Sequence, residues 1–371
     1  MSRPSWLSAA PRHLILAVCF HFCHVHSGAS PPEACASGSV GCDPDHAQLL
    51  QSHREALPTK QKLGRMSFDP DFGSIVPGHP LYLDFPGPKR EIPPELETTR
   101  LPPRFDARER WPMCGKVIGH IRDQSNCGSC WAVGSVSTLN DRYCISSGDS
   151  TTILSAADPL ANCNSTVGTG DMSTCKNPVG GGCFGGQLEF AWMWYVQQGA
   201  VSGGGFDDLG LSGPVETCAP YPFPPCHMPA WKNSTQCATN FQSPAQFRSC
   251  PTPGFRPPYP ADKYRATSWY KLSNNTRAIQ YEILQHGSVS CQVQATCSMA
   301  NYTGGVYVPS GQVCGGHVMR IIGWGTEDHL PYWLVANSWG TAWGLQGFLK
   351  WIRGKDAQGI ESGVVAGLFE N

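Results

Sequence analysis

Two periodicities divide this chain, and their order limits the folds open to it. Residues 105–210 carry apolar side chains at helical spacing, while residues 265–367 carry short β-branched and aromatic runs bounded by glycine. In the first part Ala132, Val136, Leu139 and Tyr143 recur at intervals of 4, 3 and 4, which predicts one face of a helix that fades before Gly148. A second helix is expected from Leu188 to Gln198, stopping at Gly199. In the second part strands are expected at Ser288–Thr296, His317–Gly323, Tyr332–Asn337, Gly347–Ile352 and Gly359–Val365. A helix over Thr276–His286, ending at Gly287, precedes them. Helices first and strands later predict an α+β chain in two lobes. A Cys/Pro-rich stretch, residues 214–260, lies between the halves, and no internal repeat is present.

The first expected helix opens with Gln124-Ser125-Asn126-Cys127-Gly128-Ser129-Cys130-Trp131-Ala132. A thiol at a helix N-terminus faces the positive end of the peptide dipoles, so its thiolate is favoured. A thiolate attacks carbonyls. Two later segments, Cys314-Gly315-Gly316-His317-Val318-Met319-Arg320 and Tyr332-Trp333-Leu334-Val335-Ala336-Asn337-Ser338-Trp339-Gly340, add an imidazole and an amide. Singly, each has a plainer reading. A cysteine in a secreted chain is usually in a disulfide, a strand histidine is usually structural, and Asn-Ser is usually a turn. Cys127-x-x-Cys130 at a helix start also fits a thiol oxidoreductase. No βαβ order surrounds it, however, and it leaves His317 and Asn337 unexplained.

In the order Cys, His, Asn, the three motifs resemble the papain-like cysteine peptidases, and within them the cathepsin B group, from about Leu101 to Gly367. The resemblance implies a helical left lobe, a β-barrel-like right lobe and an active-site cleft between them. It implies peptide-bond hydrolysis with Cys130 as nucleophile, His317 as base and Asn337 orienting the imidazole. Trp339 would shield that hydrogen bond from water, and Gln124 would donate its amide to the oxyanion beside the Cys130 N–H. Gly185 and Gly186 would form the S1 floor, Leu188 and Val318 would line the S2 pocket, and Trp339 and His227 would also meet substrate. A catalytically inert binding protein on the same scaffold is the other reading. Intact Cys130, His317, Asn337 and Gln124 speak against it.

Departures from the group carry information. Cys130 and His317 are 187 positions apart, against roughly 130–150 in papain-like chains. The insertion at 214–260, which resembles an occluding loop, accounts for the excess. In the group two adjacent histidines on that loop bind the substrate's C-terminal carboxylate. Here Met228-Pro229 stand in their place, with His227 one position early. Asp123, the counterpart of a loop-pairing acid, is retained, but a second such acid falls at Ala342. Endopeptidase activity is therefore expected, with reduced or absent dipeptidyl carboxypeptidase activity. In the group Gly-Ile-Glu-Ser-Glu ends in an acid at the base of S2. Here the run is Gly359-Ile360-Glu361-Ser362-Gly363, so bulky apolar P2 residues are expected over arginine.

Composition sets the compartment. Charged residues are 15% of the chain, against about 25% in typical domains. The formal net charge is −1 with no long basic run, which argues against nucleic acid as a partner. Arg3, Arg12, the apolar Leu14–Cys23 run and Ser27-Gly28-Ala29 predict a signal peptide over 1–29. The run is too short to span a bilayer, so no membrane insertion is expected after its removal. Eighteen cysteines and sequons at Asn164, Asn233, Asn274 and Asn301 fit the secretory route, ending in a lysosome-like acidic compartment or outside the cell. Pro-rich residues 30–100 are expected to be a propeptide that lies across the cleft of the peptidase domain, 101–371, and inhibits it. The partners are then peptide or protein substrates and the chain's own propeptide. No cofactor is expected, and no paired CxxC spacing suggests a metal. The resemblance implies disulfides Cys114–Cys144, Cys127–Cys183, Cys218–Cys250 and Cys226–Cys237. Local spacing suggests Cys163–Cys175. Among Cys291, Cys297 and Cys314, one pair that includes Cys314 and one free thiol are expected.

Overall fold

A fifteen-residue strand, β5 (Val313–Glu327), is the spine of the molecule. The computed structural model describes residues 74–77, 82, 84, 87–90, 93–163, 181–206, 217–226 and 241–369, all within one compact unit, Ser67–Asn371. Around β5 lie β1 (Phe105–Asp106), β2 (Ser268–Lys271), β3 (Val289–Thr296), β4 (Val306–Tyr307), β6 (Leu330–Ala336), β7 (Phe348–Ile352) and β8 (Val364–Leu368). They form one sheet in the order β2-β8-β3-β5-β6-β7-β4, with β1 also paired to β5. Every pairing is antiparallel except β4 with β7. The longer helices are α1 (Cys130–Ser147), α2 (Ala157–Asn162), α3 (Leu188–Gln197) and α4 (Thr276–His286). The α+β order expected from the sequence holds.

Local chemistry sets the helix ends. The Asn275 side chain caps α4, accepting the N–H groups of Arg277 and Ala278 at 2.9 and 3.1 Å. Gly148 ends α1 in the left-handed conformation, at φ 75°. The strand expected over Gly359–Val365 forms only from Val364. The Glu361 carboxylate accepts the Gly354 N–H at 2.5 Å, and the Asp356 carboxylate accepts the N–H groups of Glu361 and Ser362 at 2.9 Å. These side-chain bonds wind residues 354–362 into a turn that competes with the ladder.

Helix α1 is buried far beyond the single face its periodicity implies: Cys130 through Arg142 are all inside. Its polar residues are satisfied internally. Ser135 Oγ donates to Trp131 O at 2.6 Å and Ser137 Oγ to Val133 O at 2.7 Å. One apolar cluster joins α1 to α3 through Trp131, Leu139, Trp192 and Tyr195. A second fills the sheet side with Trp324, Trp333, Trp343 and Trp351. The two meet where Gly134 of α1 touches Val318 of β5. A Cβ at Gly134 would come 2.8 Å from Val318 Cγ1 and 3.0 Å from its carbonyl oxygen. Buried ion pairs flank this contact: Asp141 with Arg320 at 2.6 Å, and Arg142 with Glu282 at 2.9 Å. Burial pushes the Asp141 carboxyl up, against the pull of Arg320.

Disulfides Cys114–Cys144, Cys127–Cys183 and Cys218–Cys250 are present, and Cys297 pairs with Cys314. Cys291 is a buried thiol whose pKa burial pushes up to about 12. Cys163 and Cys226 are also disulfide-bonded; their expected partners, Cys175 and Cys237, lie outside the described residues. Among the described residues no helix is long and apolar enough to cross a membrane.

Gly134→Ala should destabilise the protein by about 1–3 kcal/mol through overpacking against Val318, outweighing the ~1 kcal/mol gain in helix propensity. A urea midpoint that falls with unchanged slope is the expected result. A rise would show that β5 can yield at this contact.

Candidate active site

Cys130 is the first residue of α1, fully buried and outside any disulfide. The turn before it is held tightly. Cys127 is bonded to Cys183, Gly128 N–H donates to Cys183 O at 3.0 Å, and Ser129 N–H donates to Cys127 O at 2.7 Å. The pairing of Cys127 with Cys183 removes the Cys127–Cys130 redox couple. Gln124 is fixed from both ends of its amide: Nε2 donates to Cys127 O at 3.1 Å, and Ser338 Oγ donates to Oε1 at 2.6 Å. An amide nitrogen carries two hydrogens, so one N–H remains for a ligand. The Tyr221 hydroxyl donates to Gln124 O at 2.8 Å and shares a hydrogen bond with Ser129 Oγ at 2.6 Å. Tyr221 belongs to the base of the insertion, so that base is tied to the turn before Cys130. Asp123 accepts the Ser125 N–H at 2.8 Å, and Ser125 Oγ reaches Pro224 O at 2.6 Å.

The imidazole comes from the opposite side. His317 lies on β5, and Asn337 follows directly after β6, its antiparallel neighbour. His317 Nε2 is 2.7 Å from Asn337 Oδ1, which also accepts the Ser338 N–H at 2.8 Å. Trp339 lies over this pair, its ring 4.9 Å from the imidazole, and Trp343 packs edge-on against Trp339 at 5.1 Å. His317 is fully buried, which depresses its pKa to about 4 despite the support of Asn337. The neutral imidazole is therefore the resident form.

Residues 74–76 explain part of this burial. Ser74 N–H donates to Gly316 O at 2.9 Å, Ile75 N–H donates to Gly186 O at 2.9 Å, and Ser74 Oγ reaches Gly186 O at 3.2 Å. Gly186 lies flat on Trp131, where a Cβ would meet the indole at 2.5 Å. Gly316 has no room for a Cβ beside Ser74 O. The segment thus bridges the neighbour of Cys130 on one wall and the neighbour of His317 on the other. Farther along, Arg90 meets Glu282 at 3.3 Å and donates to the Tyr270 hydroxyl at 2.6 Å, while Gln294 Nε2 donates to Pro77 O at 2.8 Å.

The remaining expected residues divide. Leu188 and Val318 are fully buried in one apolar cluster. Gly363 has no space for a side chain, because a Cβ would sit 2.5 Å from Gln292 Cγ. Gly185 adopts φ 92°, a conformation open to glycine. Asn274 and Asn301 are exposed, as carbohydrate acceptors must be, and Ala342 is exposed too. His227, Asn164 and Asn233 lie outside the described residues. Sequence reasoning passed over Ser338 and Tyr221, which orient Gln124. Both stand inside segments singled out for other residues, and only long-range pairing reveals their use. Among the described residues no group of three His, Cys, Asp or Glu could hold a metal ion.

Residues 101–368 match the family model of papain family cysteine protease. The chain is 39% identical over 271 residues to a cathepsin B-like cysteine proteinase of Schistosoma japonicum, covering 73% of this chain and 74% of that one. It is 38% identical over 274 residues to a gut-specific cysteine proteinase of Caenorhabditis elegans, covering 74% and 75%. Among solved structures, proCathepsin B S9 from Trypanosoma congolense superposes with a TM-score of 0.64 at 30% identity, covering 81% of this chain and 87% of that chain.

Acid should loosen the 74–76 segment. Covered, burial holds the His317 pKa at about 4; losing the cover moves it back toward the ordinary histidine value of 6.5. Proton uptake therefore favours the uncovered state progressively as pH falls from about 6.5 to about 4. Hydrogen exchange, corrected for its intrinsic pH dependence, should show protection at Ser74 and Ile75 falling across that window. Protection that stays constant would rule out His317 as the trigger.

Proposed function

Because the chain belongs to the papain family of cysteine proteases and is cathepsin B-like, we propose that it is a secretory-route zymogen that hydrolyses peptide bonds through Cys130, His317 and Asn337. The observation that carries the reading is the 2.7 Å contact between His317 Nε2 and Asn337 Oδ1 beneath Trp339. Nε2–H donates to the amide oxygen, so the Nδ1 lone pair is the base that takes the Cys130 proton. The imidazolium then returns that proton to the leaving amine. Gln124, with one N–H committed to Cys127 O, offers the other to the oxyanion beside the Cys130 N–H. Gly186 O, which accepts the Ile75 N–H in the zymogen, accepts a substrate N–H in the active enzyme. Residues 30–100 are the propeptide and inhibitor, and cleavage near 100 frees the cleft.

Endopeptidase action is the favoured mode. The insertion is anchored at its base by Tyr221 and Pro224. Its carboxylate-binding histidine pair is reduced to His227, and the second loop-holding acid is replaced by Ala342. With Gly363 at the position of the S2 acid, apolar P2 residues are preferred over arginine.

Three measurements test this. An epoxide inhibitor should label the activated enzyme at Cys130 and fail with Cys130→Ala. Gln124→Ala should lower kcat about 10²–10³-fold, as loss of an oxyanion donor does. Amidating the C-terminus of an internally quenched peptide should change its cleavage little, because the mode does not need a free carboxylate. A large loss on amidation would make the enzyme chiefly a carboxydipeptidase.

A further inference from the structure

A buried acid is linked through Tyr82 to Gln292, the residue that fills the space beside Gly363. Glu189, the second residue of α3, is fully buried next to Leu188. Its Oε1 accepts the Tyr82 hydroxyl at 3.1 Å and meets Lys271 Nζ of β2 at 3.0 Å. Gln292, whose Cγ occupies the space a Gly363 side chain would need, hydrogen-bonds the same Tyr82 hydroxyl. Glu189 Oε2 and Gln292 Oε1 are buried with no hydrogen-bond partner among the described residues. Tyr82 stands in a segment that leaves the cleft on activation under the reading above. Its departure strips a hydroxyl from a buried carboxylate and a buried amide.

Resting on the peptidase reading, we infer that Glu189 and Gln292 are specificity-determining residues that select a P2 side chain ending in a hydrogen-bond donor, tyrosine above all, and that Tyr82 occupies this position in the zymogen. An aromatic hydroxyl restores the bonds Tyr82 made, whereas phenylalanine or leucine leaves Glu189 with Lys271 as its remaining partner and both side chains short of the donor that Tyr82 supplied. Arginine gains little, because Lys271 already neutralises Glu189 and repels a second cation. The pocket therefore carries an acid without the preference for a basic residue that an acid at 363 would confer.

The test uses peptides identical except at P2, cleaved by the activated enzyme. Tyrosine should exceed phenylalanine in kcat/KM by roughly tenfold, as a hydrogen bond to a charged group predicts. Glu189→Gln should reduce that ratio to about threefold or less, since a neutral acceptor bonds more weakly. Lys271→Gln should raise kcat/KM for the peptide with arginine at P2 relative to the peptide with leucine there. Ratios between substrates are insensitive to the fraction of variant that folds. Equal rates for tyrosine and phenylalanine in the unmodified enzyme would overturn the inference, as would a tyrosine preference unchanged in Glu189→Gln. If neither peptide is cleaved, the peptidase reading fails. The same peptides titrated calorimetrically against the processed protein then decide the pocket: tighter binding of the tyrosine peptide sustains the inference, and equal binding sinks it.

Discussion

The contact between α1 and β5 sets the rest of the molecule. A helix can lie this close to a strand only where one side chain is absent, and Gly134 provides that place against Val318. The approach fixes where each element begins and ends. Cys130 opens α1 on one wall, and His317, the residue before Val318, turns to the other face of β5. The placement of the proposed nucleophile and base is thus a by-product of a packing contact one helical turn away.

Burying a helix on all sides has a cost, and the charged residues of α1 reveal how it is met. Asp141 and Arg142 are consecutive, so they point in different directions around the helix. One meets Arg320 on β5 and the other Glu282 on α4. The Arg142 guanidinium also donates to Ser288 O and Gly367 O, so much of its donor set is used. Such pairs add little net stability relative to apolar packing, but breaking one strands a buried charge. They act as registration points that hold helix and sheet in a single alignment, and the separation of the walls follows from that alignment.

The segment at 74–76 is held by the same economy of contacts. Residues 74–76 bind through backbone hydrogen bonds to two glycines, where the absence of side chains admits a close approach. Those bonds are available to any extended peptide, so they confer little selectivity. Side chains farther along add contacts that a generic peptide lacks: Tyr82 at Glu189 and Arg90 at Glu282. Burial, to which this segment contributes, keeps His317 neutral, which on the proposed reading suppresses the ion pair needed for attack.

Much of this was legible in the sequence, for physical reasons that differ by residue. Helix α4 could be bounded because its stop signal, Gly287, is local, and the Asn275 cap at its other end is a local contact too. Cys130, His317 and Asn337 could be nominated because their neighbours form motifs whose order carries meaning. The chain alone did not reveal that Cys297 joins Cys314, that Glu361 turns an expected strand aside, or that Ser338 and Tyr221 steer Gln124. Each depends on a partner whose place is set by packing far away in the chain. Glu189 is the sharpest case. In sequence it is an acid in the first turn of a helix, which dipole arguments explain by themselves. Only the meeting of α3, β2 and β3 sets it against Lys271 and, through Tyr82, beside Gln292. Local propensity acts through neighbours a few residues apart, whereas a pocket is made by whichever surfaces the core brings together.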